Sequence, residues 1–363
     1  MRSILFVLSL VLSSLIHAQS VTQDAYQVLR QDAQGYAEVI PNRRFQFPAD
    51  HAPHPDYRIE WWYITANLSD PDGNAWGIQW TLFRQSLSPT PMVDGWASNQ
   101  MWMAHAALST PNGYYPEQRF ARGGIGQAGV SSAPFTAWLD DWQWQGDTTE
   151  PFPSRLHFTT ADWNLTFELQ SDKPWVLQGD QGYSQKSEGK QASYYYSQAH
   201  IAIKGKASRL GKTIPLEGKA WLDREWSSQP LASHQQGWDW FSLHFKDGYA
   251  LMVYQLRNTH GKHWLSGSWI SPDGSSQTLK ADDIVLTPQQ RQTIEVLRLG
   301  QKTPTKITLP LAWTIELPQL QKRWHISTPY PNQWMAAQFP YWEGVVSVDE
   351  GKSGMGYMEL TGY

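Results

Sequence analysis

The sequence predicts an all-β protein of two tandem antiparallel β-barrels, and a duplicated hairpin is the strongest reason for that prediction. Residues 60–84 and 238–257 each contain an aromatic strand, an acidic–glycine turn and an apolar strand that ends in arginine. Such a segment is typical of a β-hairpin. Short alternating segments with turn residues between them fill most of the remaining chain, and no βαβ alternation occurs. The repeat therefore predicts two related β domains.

The first 18 residues are typical of a secretory signal peptide. Arg2 supplies a positive start, residues 4–12 form an apolar run, and small residues lead to a cleavage site after Ala18. The run is too short for a comfortable membrane span, and no later stretch reaches the length that a span needs. We expect a secreted, periplasmic protein with no transmembrane segment after signal removal. Residues 19–56 then form a polar lead-in interrupted by prolines.

The first predicted domain covers residues 57–205. Its first strand alternates Trp62 and Ile64 with Trp61 and Tyr63, and both faces carry aromatic residues, so neither face is simply solvated. Further strands are predicted at residues 100–108, 137–144, 154–160, 165–170 and 193–204. The boundary is placed near Gly205, where a polar turn follows.

The second predicted domain covers residues 206–363. Strands are predicted at 214–221, 238–257 as a hairpin, 262–270, 276–286, 306–316, 324–328 and 344–348. Residues 288–298 are a candidate short helix, and the alternating segment 356–363 is placed to seal a barrel. In lipocalins, a closed sheet whose interior is too wide for side chains to fill holds one apolar ligand.

Composition excludes several function classes. The chain has no cysteine, so disulfides, thiolate metal sites and cysteine nucleophiles are ruled out. A net charge of −4 argues against nucleic acid as a partner. The eleven histidines include no His-x-His or HExxH spacing, and no Gly-x-Ser-x-Gly elbow occurs. We expect no metal and no cofactor. The 21 tryptophans exceed what β propensity readily explains and favour an apolar ligand cavity.

The densest candidate site is the segment from Asp223 through Arg224 and Glu225 to Trp226. An acid–arginine–acid salt bridge that locks a strand end is one interpretation, because buried charges are normally paired. The other is a carboxyl group held protonated by aromatic surroundings to act as a general acid. Arg224 opposes the second interpretation, since an adjacent guanidinium favours the ionised form.

Asp239 lies between Trp238 and Trp240 without an adjacent cation, and it is the preferred candidate for a protonatable acid. Its side chain points opposite to both tryptophans if the segment is a strand. Glu60, before Trp62, is the counterpart in the first repeat and is equally often only a strand-end charge.

His105 and Tyr195 are further candidates for the ligand site. A lone histidine in an apolar strand is more often a hydrogen-bonded core residue than a catalyst. Tyr195 lies on the opposite strand face from Tyr194 and Tyr196, and its ring is either a packing residue or a surface that stabilises a cation.

Several motifs occur together in one order, and that order resembles the AttH-like family of secreted lipocalin-like proteins, which is related to the carotenoid 1,2-hydratases. The motifs cover the chain from about residue 57 to its end and comprise residues 60–63, 104–109, 179–184, 193–197, 223–227, 237–241, 341–344 and 356–363.

The resemblance implies two tandem lipocalin-like barrels and an association with an ABC-transporter permease. The hydratase relatives add water to an isolated alkene, which requires a proton donor, aromatic faces for a carbocation and a positioned water. By that resemblance Asp239 is the donor, with Trp226, Trp238 and Tyr195 as aromatic faces. The family pattern usually reads Asp-His-Glu-Trp where this chain has Arg224, and a guanidinium cannot shuttle protons.

The sequence therefore predicts a periplasmic binder of an apolar or amphipathic small molecule or lipid, linked to an ABC-transporter system. Catalytic candidates are Asp239, Glu225 and Asp223; ligand-binding candidates are Trp226, Trp238, Trp240, Tyr195, Trp62, Glu60, His105 and Arg224. The alternative is an acid-catalysed hydratase or isomerase that acts on a polyene-like, carotenoid-type substrate.

Overall fold

The computed structural model describes residues 26–363. The predicted signal peptide, residues 1–18, and the first part of the lead-in, residues 19–25, lie outside the described residues. The remainder of the lead-in contains one helical turn, α1 (Gln27–Arg30). Single 3-10 turns occur at Ala49–His51, Gly95–Ala97, Ala281–Asp283 and Pro318–Leu320.

The first half of the chain forms one antiparallel sheet of 13 strands. These strands are β1 (Ile59–Ser69), β2 (Ala75–Ser86), β3 (Gln100–Thr110), β4 (Gly113–Arg122), β5 (Ala128–Ser132), β6 (Phe135–Leu139), β7 (Trp142–Gly146), β8 (Ser154–Thr160), β9 (Trp163–Gln170), β10 (Val176–Leu177), β11 (Tyr183–Gln185), β12 (Ala192–Arg209) and β13 (Lys212–Ser227). Their order is β4-β3-β2-β1-β13-β12-β9-β8-β7-β6-β5, and the short β10 and β11 pair with β12.

The second half forms a 10-stranded antiparallel sheet and a separate hairpin. Its strands are β14 (Gln235–Phe245), β15 (Ala250–Asn258), β16 (Trp264–Ile270), β17 (Ser276–Leu279), β18 (Val285–Pro288), β19 (Arg291–Val296), β20 (Thr305–Pro310), β21 (Ala312–Leu317), β22 (Lys322–Ser327), β23 (Trp334–Met335), β24 (Tyr341–Val348) and β25 (Gly354–Thr361). The order is β17-β16-β15-β14-β25-β24-β22-β21-β18; β23 pairs with β24, and β19 with β20 forms the hairpin.

The architecture confirms the predicted all-β fold of two tandem β-barrels. Both predicted tryptophan hairpins are present, as β1 with β2 and as β14 with β15. Each occupies a central position in its sheet, where the first strand of the hairpin also pairs with the last strand of the same sheet, β13 or β25. Consequently the two duplicated segments are the equivalent centres of the two domains.

The predicted domain boundary near Gly205 falls inside strand β12. Both β12 and β13 pair within the first sheet, and the second sheet begins with β14 at Gln235. Gly205 looked like a linker residue because it stands in a polar stretch. In the structure a Cβ at this position would lie 2.1 Å from the Thr166 carbonyl oxygen, so glycine permits a close strand approach instead of a domain break.

The structure also decides two other predictions, a short helix and a closing strand. The candidate helix at 288–298 is wrong: these residues form the end of β18 and the strand β19, in keeping with the β-branched Thr293 and Ile294. The closing segment is a strand as predicted, but β25 lies between β14 and β24 in the interior of the second sheet.

Each sheet encloses its own apolar core, and a third core joins the two sheets. Trp62 and Ile64 belong to the core of the first sheet, whereas Tyr63 on the alternate face belongs to the cluster shared with the second sheet, which also contains Trp240 and Tyr357. This explains why both faces of β1 are aromatic. Among residues 26–363, no helix has the length and apolar character to cross a membrane.

Candidate functional site

A pocket with a volume of about 150 Å³ lies between the two sheets. Hydrogen bonds fix the sheets around it: the Tyr63 hydroxyl donates to Glu343 Oε1 at 2.6 Å, and Asn67 Nδ2 donates to the Gly356 carbonyl at 2.7 Å. Aromatic and aliphatic side chains form most of the lining, among them Trp61, Tyr63, Met103, Trp238, Trp240 and Leu256. An apolar cavity of this size accommodates a small hydrophobic molecule.

Strand alternation divides the 223–226 cluster between two environments. Asp223 and Glu225 face the pocket, whereas Arg224 and Trp226 do not line it. The Arg224 Nη2 atom instead lies 2.5 Å from Glu60 Oε2, and its guanidinium lies 3.8 Å above the Trp62 ring. The side chains of neighbouring residues in a strand point to opposite faces, so the arginine does not neutralise the carboxyl groups beside it in sequence.

Asp223 is the best-supported proton-transfer group of the pocket. Its carboxyl accepts hydrogen bonds from the Tyr195 hydroxyl at 2.8 Å, the Ser197 hydroxyl at 2.5 Å and the Trp221 indole N–H at 2.7 Å. Burial raises the pKa of Asp223 to about 7, although all three donors act in the opposite direction. A carboxyl that titrates near neutral pH can both give and accept a proton.

Glu225 is neutralised by a lysine that the sequence did not single out. The Lys186 ammonium lies 2.8 Å from Glu225 Oε1, and the Ser193 hydroxyl donates to the same oxygen. The ammonium also lies 5.1 Å from the centre of the Tyr195 ring and 4.5 Å from that of Tyr254. Because this cation already occupies those two aromatic faces, Tyr195 contributes its hydroxyl to Asp223 and not a free π face to a ligand.

Strand β14 contributes Trp238 and Trp240 to the pocket, but it directs Asp239 to the opposite face. There Asp239 Oδ1 lies 2.5 Å from Arg257 Nη1, while Gln255 and the Tyr363 hydroxyl donate to the same carboxyl. Burial raises the pKa of Asp239 above its usual value, although Arg257, Gln255 and Tyr363 all act in the opposite direction. The structure therefore separates this predicted proton donor from the tryptophans that were expected to surround it.

Glu60 and Trp62 also lie away from the pocket, at the end of the first barrel. Burial alone would raise the pKa of Glu60, but the guanidinium groups of Arg84 and Arg224 hold it well below its usual range. The lead-in covers this network: His54 N–H donates to Glu60 Oε1 at 2.9 Å, and the His54 ring stacks on Trp226 with 3.9 Å between ring centres. Glu60, Trp62, Arg224 and Trp226 therefore stabilise the barrel end.

His105 supports the pocket wall from behind. Its Nδ1 atom lies 2.8 Å from the hydroxyl of Tyr341, which lines the pocket, and Gln118 Nε2 lies 2.9 Å from His105 Nε2. Burial lowers the pKa of His105 to about 3, so the ring is neutral at physiological pH. It is a hydrogen-bonded core histidine that orients Tyr341.

Glu359 of the second sheet also lines the pocket, and sequence reasoning did not select it. The Trp238 indole N–H donates to its Oε1 atom at 3.1 Å. Burial raises the pKa of Glu359 to about 8, and the charges of Asp223 and Glu225 act in the same direction. The glutamate belongs to an alternating strand without a charge cluster, so no local signal marked it. Among the described residues, no group of three or more His, Asp or Glu side chains is arranged to hold a metal ion.

The fold and the pocket define a class of protein: two antiparallel β-barrels that together form an apolar cavity containing protonatable carboxyl groups. The chain belongs to the AttH-like family, whose profile matches residues 38–363. This confirms the resemblance identified from the motifs. None of the curated proteins matches the chain.

Several solved structures resemble this protein, including the following two. One is a Nitrosomonas europaea protein assigned as an AttH, with 33% sequence identity and a TM-score of 0.75, covering 90% of this chain and 99% of the other. The second is kievitone hydratase from Nectria haematococca, with 13% identity and a TM-score of 0.65, covering 90% of this chain and 96% of the hydratase. At that identity, the second comparison shows a shared fold.

Proposed function

We propose that this protein binds an apolar or amphipathic alkene in the pocket between its barrels and adds water to the double bond by acid catalysis. The observation that carries the proposal is Asp223, a carboxyl group that faces an aromatic cavity and titrates near neutral pH. The fold shared with kievitone hydratase supports the reaction class without identifying the substrate.

Hydration of an alkene requires two proton transfers. A carboxylic acid gives its proton to one alkene carbon, and the π electrons form the new C–H bond, which leaves a carbocation on the other carbon. Water then bonds to that carbon and loses a proton to a carboxylate, so the net change is the addition of one water molecule. Asp223 is positioned to take part in one of these transfers.

The pocket also favours the cationic intermediate. Trp61, Trp238 and Trp240 line it, and the faces of their indole rings are the strongest aromatic partners for a cation. Lys186 and Arg84 also line the pocket, and each is paired with a carboxylate, Lys186 with Glu225 and Arg84 with Glu60. A cation that forms on the ligand therefore meets aromatic faces and carboxyl groups without a net opposing charge.

The second candidate function is a carrier that binds the same kind of molecule without turnover. The mostly apolar pocket lining favours it, since apolar contacts alone suffice for binding. Under both functions we propose that the protein is exported to the periplasm by its signal peptide and works beside an ABC-transporter permease.

The two functions are separated by replacing Asp223 with asparagine, which keeps the shape of the side chain and removes its acid–base chemistry. Geraniol, an amphipathic isoprenoid alcohol with trisubstituted alkenes, is the probe. Mass spectrometry in ¹⁸O-labelled water should detect a product heavier by one labelled water molecule. We expect turnover to fall by about 10²–10⁴-fold in Asp223→Asn, while geraniol binding measured by tryptophan quenching persists.

Asp282→Asn is the matched control, because Asp282 is exposed in a 3-10 turn and does not line the pocket. It should turn over geraniol as the wild type does. Geraniol binding without labelled product in the wild type would favour the carrier. Equal turnover in the wild type and Asp223→Asn would exclude Asp223 from the chemistry.

A further inference from the structure

Two glutamates, one buried and one half-buried, stand directly opposite each other in the second sheet. Glu343 of β24 and Glu359 of β25 are cross-strand partners in an antiparallel pair, which places their side chains on the same face. That face is directed toward the first sheet, since Tyr63 of β1 donates its hydroxyl to Glu343 Oε1. In the described part of the chain, no lysine, arginine or histidine forms an ion pair with either glutamate.

The two carboxyl groups have different access to the pocket. Glu359 lines the cavity and is partly accessible, whereas Glu343 is fully buried behind it. Glu343 accepts a hydrogen bond from the Tyr63 hydroxyl, but no cation among the described residues pairs with it. A fully buried carboxylate without a cation is strongly unfavourable, so Glu343 retains its proton. Burial and the adjacent Glu359 both raise the pKa of Glu343 well above its usual range.

Glu359 is the member of the pair that can release a proton to a ligand. It borders the cavity, and the Trp238 indole N–H stabilises the carboxylate that remains after transfer. Burial and the charges of Asp223 and Glu225 favour the neutral acid before transfer and raise the pKa of Glu359 to about 8.

Asp223, in the first sheet, has more hydrogen-bond donors than Glu359, and burial raises its pKa only to about 7, below that of Glu359. Its carboxyl accepts hydrogen bonds from Tyr195, Ser197 and Trp221, and these three donors favour its ionised form. The pocket therefore combines one carboxyl built to hold a proton with one built to accept it, and each comes from a different barrel. Two titratable groups with such different environments are typical of an acid–base pair.

We propose that Glu359 is the proton donor of the hydration and that Asp223 is the base that accepts the proton of the attacking water. This assignment rests on the proposed hydration. The Glu359 proton forms the new C–H bond, water forms the C–O bond, and the water proton passes to the Asp223 carboxylate. Solvent restores both groups to their starting states after the product leaves. Glu343 remains neutral throughout and takes no part in either transfer.

The roles are distinguished by incubating geraniol with the variants in deuterium oxide. Asp223→Asn retains the acid, so it should still deuterate the alkene reversibly and wash deuterium into recovered geraniol without hydrating it. Glu359→Gln lacks the acid, so hydration and deuterium wash-in should both fall by about 10²-fold or more. Wash-in by Glu359→Gln but not by Asp223→Asn would reverse the assignment and overturn the proposal.

Glu343→Gln is the sharpest comparison, because it makes the same chemical change at the opposite position in the strand pair. A glutamine mimics the neutral acid that we assign to Glu343, so deuterium wash-in should remain within a few-fold of the wild type. A loss as large as that of Glu359→Gln, in protein that circular dichroism shows to be folded, would contradict the distinction between the two glutamates.

An infrared measurement without ligand tests the protonation of Glu359 separately from the reaction. At pH 7, with the Asp223 charge that raises the Glu359 pKa still in place, the carbonyl band of protonated carboxyl groups should be weaker in Glu359→Gln than in the wild type. No loss would refute the assignment of Glu359 as the acid, whatever the activity. Conversely, a protonated Glu359 together with no hydration of geraniol by the wild type would count against the proposed function and not against the protonation state.

Discussion

The buried pair between Lys186 and Glu225 gives the clearest energetic prediction. Their side chains are 8% and 7% exposed, and the ammonium lies 2.8 Å from the carboxylate. Lys186→Met preserves the length and apolar stem of the side chain but leaves Glu225 with the Ser193 hydroxyl as its remaining donor. Removing one partner of a buried ion pair costs about 3–5 kcal/mol, because the other charge is left uncompensated. We expect a loss of that size in the free energy of unfolding.

The assay is urea unfolding followed by tryptophan fluorescence, compared among the wild type, Lys186→Met and Lys186→Met/Glu225→Gln. The second substitution removes the orphaned charge, so the double variant should recover most of the lost stability. If Lys186→Met is as stable as the wild type, the pair is solvated and the pocket is wetter than the structure indicates. If the double variant is no more stable than Lys186→Met, the lysine acts through packing on its aromatic neighbours and not through charge.

Three further predictions concern other parts of the structure. Gly77→Val should loosen the contact between the barrels, because a Cβ there would lie 2.2 Å from Val345 Cγ1; limited proteolysis between the sheets should accelerate. In His105→Gln, stability measured by thermal unfolding should decline less steeply as the pH falls from 6.5 to about 3. In that window the unfolded state binds a proton that burial denies to folded His105. Arg224→His should lower the free energy of unfolding by about 1.5–3 kcal/mol, because it removes the contact with Glu60. The pH profile of geraniol turnover should stay unchanged.

Each of these three predictions has an outcome that would contradict it. If the protease cleaves Gly77→Val at the wild-type rate, the two sheets do not need this close approach. If the thermal stability of His105→Gln and that of the wild type depend on pH in parallel, His105 is not held neutral by burial. A shift in the turnover profile of Arg224→His would mean that residue 224 communicates with the pocket.

The fold was predictable from the sequence because period-two alternation and turn chemistry are local signals. The hairpins at Trp62 and Trp240 illustrate this, since each strand and its turn lie within one short segment. The predicted boundary at Gly205 falls inside strand β12, because a glycine that permits close strand packing looks the same in sequence as one in a linker. Only the pairing of distant strands distinguishes the two.

The site was less predictable than the fold. Strand alternation shows that adjacent side chains point to opposite faces of a sheet, but it does not show which face borders the pocket. Asp239 illustrates the difficulty: its separation from Trp238 followed from the sequence, but the choice of face depended on how the barrels dock. Glu359 lies far from Asp223 in the chain and reaches it only through that docking, whereas Lys186 reaches Glu225 through the pairing of β11 with β12 and of β12 with β13. No signal within either segment could have revealed the association.

The position of Arg224 changes how the departure from the Asp-His-Glu-Trp pattern bears on function. A guanidinium cannot shuttle protons, and its presence between Asp223 and Glu225 therefore weighed against hydration. In the structure, Arg224 points to the barrel end and pairs with Glu60, while the two acids point to the pocket. One strand segment thus stabilises a barrel on one face and supplies carboxyl groups on the other. Because residue 224 does not line the pocket, the substitution leaves the acid–base groups of the proposed hydration in place. Those groups come from both sheets, so the proposed chemistry requires the duplicated domains to be docked together.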